Sequence, residues 1–129
     1  MKGFVEDIEK ITVENDLFRK VVYTGKHLQL VLMTLQPGEE IGSEVHDGHD
    51  QFFRIEEGNG QVIIDDNTYD VEDDDAVIVP AGARHNVINT GSEPLRLYTL
   101  YGPPEHREGV VHPTKADETE EHFDGKTTE

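Results

Sequence analysis

One stretch of the sequence, from Gly38 to Gly58, restricts the possible fold more than any other. Side chains two residues apart on a strand point to the same face, so Glu44 and His46 share a face if their segment is extended. A second strand beginning near Gln51 continues with apolar residues at alternate positions. We therefore predict two strands, over residues 41–46 and 51–57, whose polar ends lie at the mouth of an apolar core. We single out Glu44, His46, His49 and Gln51 in this stretch as candidate metal ligands.

A second segment, from Pro80 to Asn89, completes a pattern that resembles the paired motifs of the cupin superfamily. The first motif of that family reads glycine, five residues, His-x-His, three or four residues, Glu, six residues, glycine. Its places are held here by Gly38, Glu44, His46, Gln51 and Gly58. The second motif reads glycine, five residues, Pro-x-Gly, two residues, His, three residues, Asn. Its places are held by Asp74, Pro80, Gly82, His85 and Asn89.

Three positions differ from the family pattern. Glu44 replaces the first histidine, Gln51 replaces the glutamate and Asp74 replaces the outer glycine of the second motif. All spacings and the Pro80-Ala81-Gly82 turn are retained. The resemblance therefore implies an all-β fold, the double-stranded β-helix or jelly-roll-like barrel of the cupins.

The rest of the chain also favours an all-β barrel. Short β-prone runs alternate with Gly, Pro, Asn and Asp, and no long helical pattern interrupts them. At 129 residues the chain is long enough for one core. We interpret residues 1–28 as an amino-terminal segment with leading strands, 29–101 as the barrel core and 102–129 as a polar tail. The consecutive prolines Pro103 and Pro104 cannot continue a central strand, so we expect the tail to wrap the surface or fray rather than reach the barrel mouth.

The charge of the chain limits its partners. Asp and Glu number 28 against 11 Lys and Arg, a formal charge of −17, which makes nucleic acid and anionic membranes poor partners. No apolar run approaches the roughly 18 residues of a membrane span, and no signal pattern opens the chain, so we expect a cytoplasmic protein. The scattered acidic residues are typical of a halophilic source, because molar salt screens their mutual repulsion.

The sequence contains no cysteine, so any metal must be held by nitrogen and oxygen ligands. If Glu44, His46, Gln51 and His85 converge, they form a set of two imidazoles, one carboxylate and one amide. Such a set fits a divalent transition metal, Mn, Fe, Co, Ni or Zn, without selecting one. His49 competes for a ligand place because it lies two residues before Gln51. Glu44 itself has three possible roles: metal ligand, general base beside the metal, or outward-facing surface acid.

The resemblance implies several functions for such a site. We expect a metal-dependent enzyme of isomerase or lyase type on a small sugar-like or keto-acid-like molecule, with Glu44 or an unassigned acid moving a proton. The sequence Glu44-x-His46 resembles the Gln-x-His ligands of cupin phosphomannose isomerases. Two alternatives stay open, a barrel that binds a ligand or metal without catalysis and an Fe(II) dioxygenase. The resemblance also implies a homodimer, paired through sheet edges or swapped strands.

Overall fold

Two antiparallel sheets pack around one hydrophobic core, as the sequence predicts for an all-β protein. The structure is a computed structural model that describes residues 1–129. A short helix, α1, precedes the strands, and a single turn of 3-10 helix follows them. The elements are α1 Ile8–Val13, β1 Arg19–Thr24, β2 Gln29–Leu35, β3 Glu44–Val45, β4 Asp50–Glu57, β5 Gly60–Ile64, β6 Asn67–Val71, β7 Ala76–Val79, β8 Arg84–Ile88, β9 Leu95–Gly102, β10 Val111–His112 and the 3-10 turn Lys115–Asp117.

The strand order confirms the double-stranded β-helix. The larger sheet has the order β10-β1-β2-β9-β4-β7 and the smaller one β3-β8-β5-β6, so each sheet combines strands from distant parts of the chain. Strand β2 lies between β1 and β9, and its residues Val31, Leu32 and Met33 are buried. Neither helix has the length or the apolar character needed to cross a membrane.

Alternation along β4 and β9 sets the position of the barrel mouth. In β4 the side chains of Gln51, Phe53 and Ile55 are buried, as the period of two predicts. Gln51 pairs with Tyr101 of β9, so two polar side chains lie side by side where the apolar stripe ends. The other sheet brings Glu44 opposite His85. The mouth therefore forms where the polar ends of both sheets meet.

The predicted strand over residues 41–46 is shorter than expected. Only Glu44 and Val45 form a strand, although the Ile41 N–H donates to Val87 O of β8 at 2.9 Å. The Gly42 N–H instead donates to the Asn86 side-chain oxygen at 2.9 Å. The register with β8 changes by one residue here, from Glu40 opposite Ile88 to Glu44 opposite His85, and this irregularity interrupts the ladder.

Asp74, which replaces the outer glycine of the second motif, retains a glycine-like backbone. Its φ is 75°, and aspartate is among the few residues that adopt such angles readily. Its carboxylate accepts a hydrogen bond of 3.0 Å from Arg54 Nη2. The departure from the motif therefore leaves the turn before β7 unchanged.

The carboxyl-terminal segment lies along β1. Strand β10 pairs with β1 through Arg19 and Lys20, and at the other end of β1 the Thr128 N–H donates to Thr24 O at 2.8 Å. The segment therefore covers both ends of the outer edge of β1.

We expect Gly58→Ala to lower the free energy of unfolding more than Gly38→Ala. Both glycines have φ in the left-handed region, 107° and 84°, where alanine costs about 1–2 kcal/mol. At Gly58 an added Cβ would also lie 2.7 Å from Pro94 O, whereas at Gly38 nothing lies within 4 Å. Urea denaturation of the two variants measures the difference. Equal losses would contradict the packing argument.

Candidate metal centre

Three side chains from the two sequence motifs meet at the barrel mouth. Glu44 Oε2 lies 2.9 Å from His46 Nε2, and the rings of His46 and His85 have centroids 5.2 Å apart. His85 Nδ1 lies 3.0 Å from Ala83 O, so this nitrogen carries the ring proton and donates a hydrogen bond to the carbonyl. The lone pair of His85 Nε2 is therefore free for another partner.

Gln51 lies deeper at the same mouth and is 4% exposed. Its Nε2 donates to Thr99 Oγ1 at 3.0 Å, whereas its Oε1 is buried and has no hydrogen-bond partner. A buried acceptor without a partner is costly, because its desolvation is not compensated. The oxygen of this amide can therefore accept a further contact.

His49 and Glu105 form the opposite side of the mouth. Glu105 Oε2 lies 2.6 Å from His49 Nε2 and 3.6 Å from His46 Nδ1. The contact with His49 is close, but its angles do not make a hydrogen bond, so His49 Nε2 is buried without an aligned partner. Glu105 was not predicted from the sequence, because it lies outside both motifs in a segment rich in acidic residues.

The side chains at the mouth form two groups that could hold a metal ion. One consists of Glu44, His46 and His85, and the other of His46, His49 and Glu105. Within each group the potential ligand atoms lie within 4.8 Å of one another. His46 belongs to both groups and is the centre of the arrangement.

Burial and nearby carboxylates have opposite effects on the histidines. Burial lowers the pKa of His85 and of His49, which favours the neutral imidazole that binds metals. Burial also lowers the pKa of His46, but Glu44 and Glu105 outweigh it and raise the pKa above its ordinary value. The two carboxylates therefore favour the protonated, positively charged form of His46.

A cavity of about 380 Å³ opens beside Glu44 and His46. Of its 11 lining residues only Val45 is hydrophobic, and the tail forms the opposite wall. The prediction that the tail stays away from the barrel mouth is therefore wrong. The tail contributes seven of the lining residues: Glu105, His106, Glu118, Thr119, Glu120, Glu121 and His122.

Arg19 is the one cationic residue in this lining other than the histidines. Its side chain is 3% exposed, and its Nη1 donates to Glu118 Oε2 at 2.8 Å. The same Nη1 lies 3.2 Å from His112 Nδ1. Arg19 therefore connects β1 to the tail across the floor of the cavity.

The remaining polar residues of the motifs and the tail have structural contacts. Asn89 is buried, and its Nδ2 donates to Leu35 O and to Glu93 O at 2.9 Å each. His106 Nε2 lies 3.3 Å from the hydroxyl of Tyr101, and burial lowers the pKa of His106 to about 3. Burial raises the pKa of Tyr101. His27 is exposed on the surface.

Comparisons with known proteins agree with this fold. Residues 31–101 match the family model Cupin_2, described as a cupin domain. The uncharacterized protein YrkC of Bacillus subtilis is 50% identical over 122 residues, which cover 90% of this chain and 66% of that protein. An uncharacterized protein of Acanthamoeba polyphaga mimivirus is 35% identical over 112 residues, covering 84% of this chain and 70% of that protein. The chain thus spans about two thirds of the length of these curated relatives.

A solved structure extends the comparison to the fold. The crystal structure of a protein from Bacillus halodurans aligns with a TM-score of 0.88 at 48% identity. The alignment covers 90% of this chain and 92% of that one, so it extends beyond residues 31–101, which the family model matches.

We expect the stabilising contribution of Glu118 to disappear in acid. Desolvation raises the pKa of Glu118, but hydrogen bonds from Arg19 and Lys115 outweigh it and hold the pKa below its ordinary value of 4.5. A carboxyl with a lower pKa in the folded state stabilises the fold above the unfolded pKa and loses this contribution as the pH falls through the folded pKa. Glu118→Gln should therefore cost about 1 kcal/mol at pH 7, and the cost should shrink below pH 4.5.

Urea denaturation of the wild type and Glu118→Gln across this pH range tests the expectation. Glu120→Gln is the matched control, because Glu120 is exposed on the same segment and forms no ion pair. A cost that is independent of pH would show that the Arg19 contact does not depend on ionised Glu118.

Proposed function

The chain belongs to the Cupin_2 family of cupin domains, and from this premise we propose that it is a metal-dependent enzyme acting on a small polar molecule. The observation that carries the proposal is the convergence of Glu44, His46 and His85, of which Glu44 and His46 line a cavity with a single hydrophobic lining residue. An enzyme of this kind needs a metal, room for a polar substrate and a group that moves a proton. The site has candidate metal ligands, a polar cavity and a carboxylate that can move a proton.

The donor atoms at the mouth fit a divalent transition metal. In our proposal His46 and His85 hold the ion, Glu44 lies beside it as a further ligand or as the general base, and Gln51 and His49 are further candidate ligands. His85 has its Nε2 lone pair free, and Gln51 Oε1 lacks a partner. Mixed nitrogen and oxygen ligation suits Mn, Fe, Co, Ni or Zn. When bound, such an ion polarises a carbonyl or hydroxyl group as a Lewis acid.

Charge in the cavity supports a neutral substrate over an anionic one. Its lining includes one arginine, Arg19, which is already paired with Glu118. The arginines at 54, 84 and 96 lie outside the cavity, so nothing there forms a cluster for gripping a phosphate. We therefore propose a sugar-like, polyhydroxylated substrate and regard keto acids and sugar phosphates as weaker candidates. Five lining residues are carboxylates: Glu44, Glu105, Glu118, Glu120 and Glu121.

Glu44 is the group best placed to move a proton in an isomerase or lyase reaction. Its side chain is 33% exposed, so one face is open to the cavity while Oε2 contacts His46. A carboxylate in this position can accept a proton from a carbon or hydroxyl of a bound substrate and return it to a neighbouring atom. His46 orients the carboxylate for that transfer.

A non-catalytic barrel that binds a ligand or metal is the second candidate. It is favoured by the contacts of the two carboxylates nearest the histidines. Glu44 contacts His46, and Glu105 contacts His49, so neither carboxylate is free of an imidazole partner. Binding of a ligand without turnover would support this second candidate.

We expect the wild-type protein, purified without chelator, to contain about one divalent transition metal per chain. His46→Ala and His85→Ala should each lose it, because each removes an imidazole ligand. His27→Ala is the matched control and should retain the metal, since His27 is exposed and belongs to neither group of potential ligands. Elemental analysis measures the stoichiometry. A wild type without metal, or variants that retain it, would contradict the proposed centre.

We expect the metal-loaded protein to bind neutral sugars more tightly than the corresponding sugar phosphates, uronates or keto acids. Calorimetry on a matched panel measures binding, and proton NMR measures turnover. Glu44→Gln should lower turnover by about 10²–10⁴-fold while retaining the metal if Glu44 is the general base. Loss of metal from this variant would make Glu44 a ligand instead, and failure of every neutral sugar to bind would overturn the substrate class.

A further inference from the structure

We infer that Glu105, on the segment that follows the barrel, is a ligand of the metal ion and that it acts together with His49. This inference rests on the proposed metal centre and adds a residue that lies outside both sequence motifs. It makes the carboxyl-terminal segment part of the centre as well as a wall of the cavity.

The first support is the position of the Glu105 carboxylate. Its Oε2 lies 2.6 Å from His49 Nε2 and 3.6 Å from His46 Nδ1, and its side chain is 13% exposed. The rings of His46 and His49 have centroids 4.9 Å apart. His49 Nε2 is buried without an aligned hydrogen bond, so it is available to an ion that lies beside this pair and contacts the carboxylate as well.

The second support is that the core itself holds Glu105 over the mouth. The side chain of Gln29 is completely buried in β2. Its Oε1 accepts the N–H groups of Glu105 and His106 at 3.2 Å and 2.9 Å, and its Nε2 donates to His106 O at 2.8 Å. One buried amide therefore fixes the backbone of both residues. Buried hydrogen bonds of this kind hold a metal-binding side chain in a precise position.

The second oxygen of the carboxylate has a partner of its own. Glu105 Oε1 accepts a hydrogen bond of 3.1 Å from His122 Nδ1. The Glu105 backbone O also accepts from the Phe123 N–H at 2.8 Å. Metal-binding carboxylates are commonly oriented by such outer contacts. Oε2 is then left to face the histidines.

The third support is the composition of the centre. At the motif positions Glu44 stands in place of a histidine and Gln51 in place of a glutamate, so the motifs supply two imidazoles, His46 and His85. His49 adds a third imidazole and Glu105 a carboxylate, from positions that the motifs do not include. The negative charge that Gln51 cannot provide then comes from the tail.

A simpler reading is that Glu105 only forms ion pairs with the two histidines and docks the tail. The two readings differ in what happens when metal is bound. If Glu105 is a ligand, losing its charge weakens metal binding and alters the electronic environment of the ion. If it is only a docking residue, the metal is unaffected and the tail alone loosens.

The test compares Glu105→Gln with Glu108→Gln, a matched control because Glu108 is exposed on the same segment and has no side-chain contact with the histidines. Metal affinity is measured by competition with a chelator for Zn²⁺, and the ligand environment by visible absorption of the Co²⁺-loaded proteins. We expect Glu105→Gln to lower affinity at least about tenfold, since even residues that only orient ligands typically contribute 10–100-fold. Its Co²⁺ spectrum should differ from that of the wild type, and Glu108→Gln should match the wild type in both.

Hydrogen exchange on the wild type gives a second readout that does not depend on the stability of a variant. Addition of Zn²⁺ should slow exchange of the amides of Glu105 and His106, because the ion would tie their segment to the barrel. Unchanged exchange, or a Glu105→Gln variant with wild-type affinity and spectrum, would overturn the inference. If His46→Ala and His85→Ala lose the metal while Glu105→Gln does not, only this inference fails. If the wild type binds no metal, the proposed function fails with it.

Discussion

The candidate site depends on one buried amide, that of Gln29. Its oxygen and nitrogen are both satisfied, by the backbone of residues 105–106 and by Thr24 Oγ1 at 2.9 Å. An apolar side chain in its place would leave several buried backbone groups without partners, and each would be destabilising. The interaction therefore fixes where the chain goes after the last barrel strand, and with it one wall of the cavity. The barrel provides the histidines of the site, and the Gln29 amide determines that Glu105 lies opposite them.

The site is rich in acidic side chains, as is the whole chain. The protein has a formal charge of −17, and five glutamates surround a cavity with one arginine. Carboxylates held so close together repel one another, and the repulsion is weakened where histidines or Arg19 lie between them. His46, between Glu44 and Glu105, occupies such a position. A site of this charge is suited to cations and neutral polar molecules, and it disfavours anions.

The sequence predicted those parts of the structure that depend on local pattern. The β-helix fold follows from the spacing of the motifs, and the sheet topology agrees with it. The shared face of Glu44 and His46 and the burial of Gln51 follow from the alternation of side chains along strands, and the structure has both. Glu105 could not be predicted, because its place depends on contacts with Gln29 that span 76 residues of chain. The tail was misplaced for the same reason, since the pairing of Arg19 with Glu118 has no local signature. The homodimer, the cytoplasmic location and the halophilic source stay predictions.

The strand pairing at the carboxyl terminus has a consequence for self-association. An uncovered outer strand presents unpaired N–H and C=O groups to which another chain can add. Here β10 and the backbone of Thr128 occupy that edge of β1 at its two ends. A segment that forms one wall of the cavity thus also blocks a route to intermolecular sheet growth. Proteolytic loss of this segment would convert a closed barrel into an aggregation-prone one, even with the histidines intact.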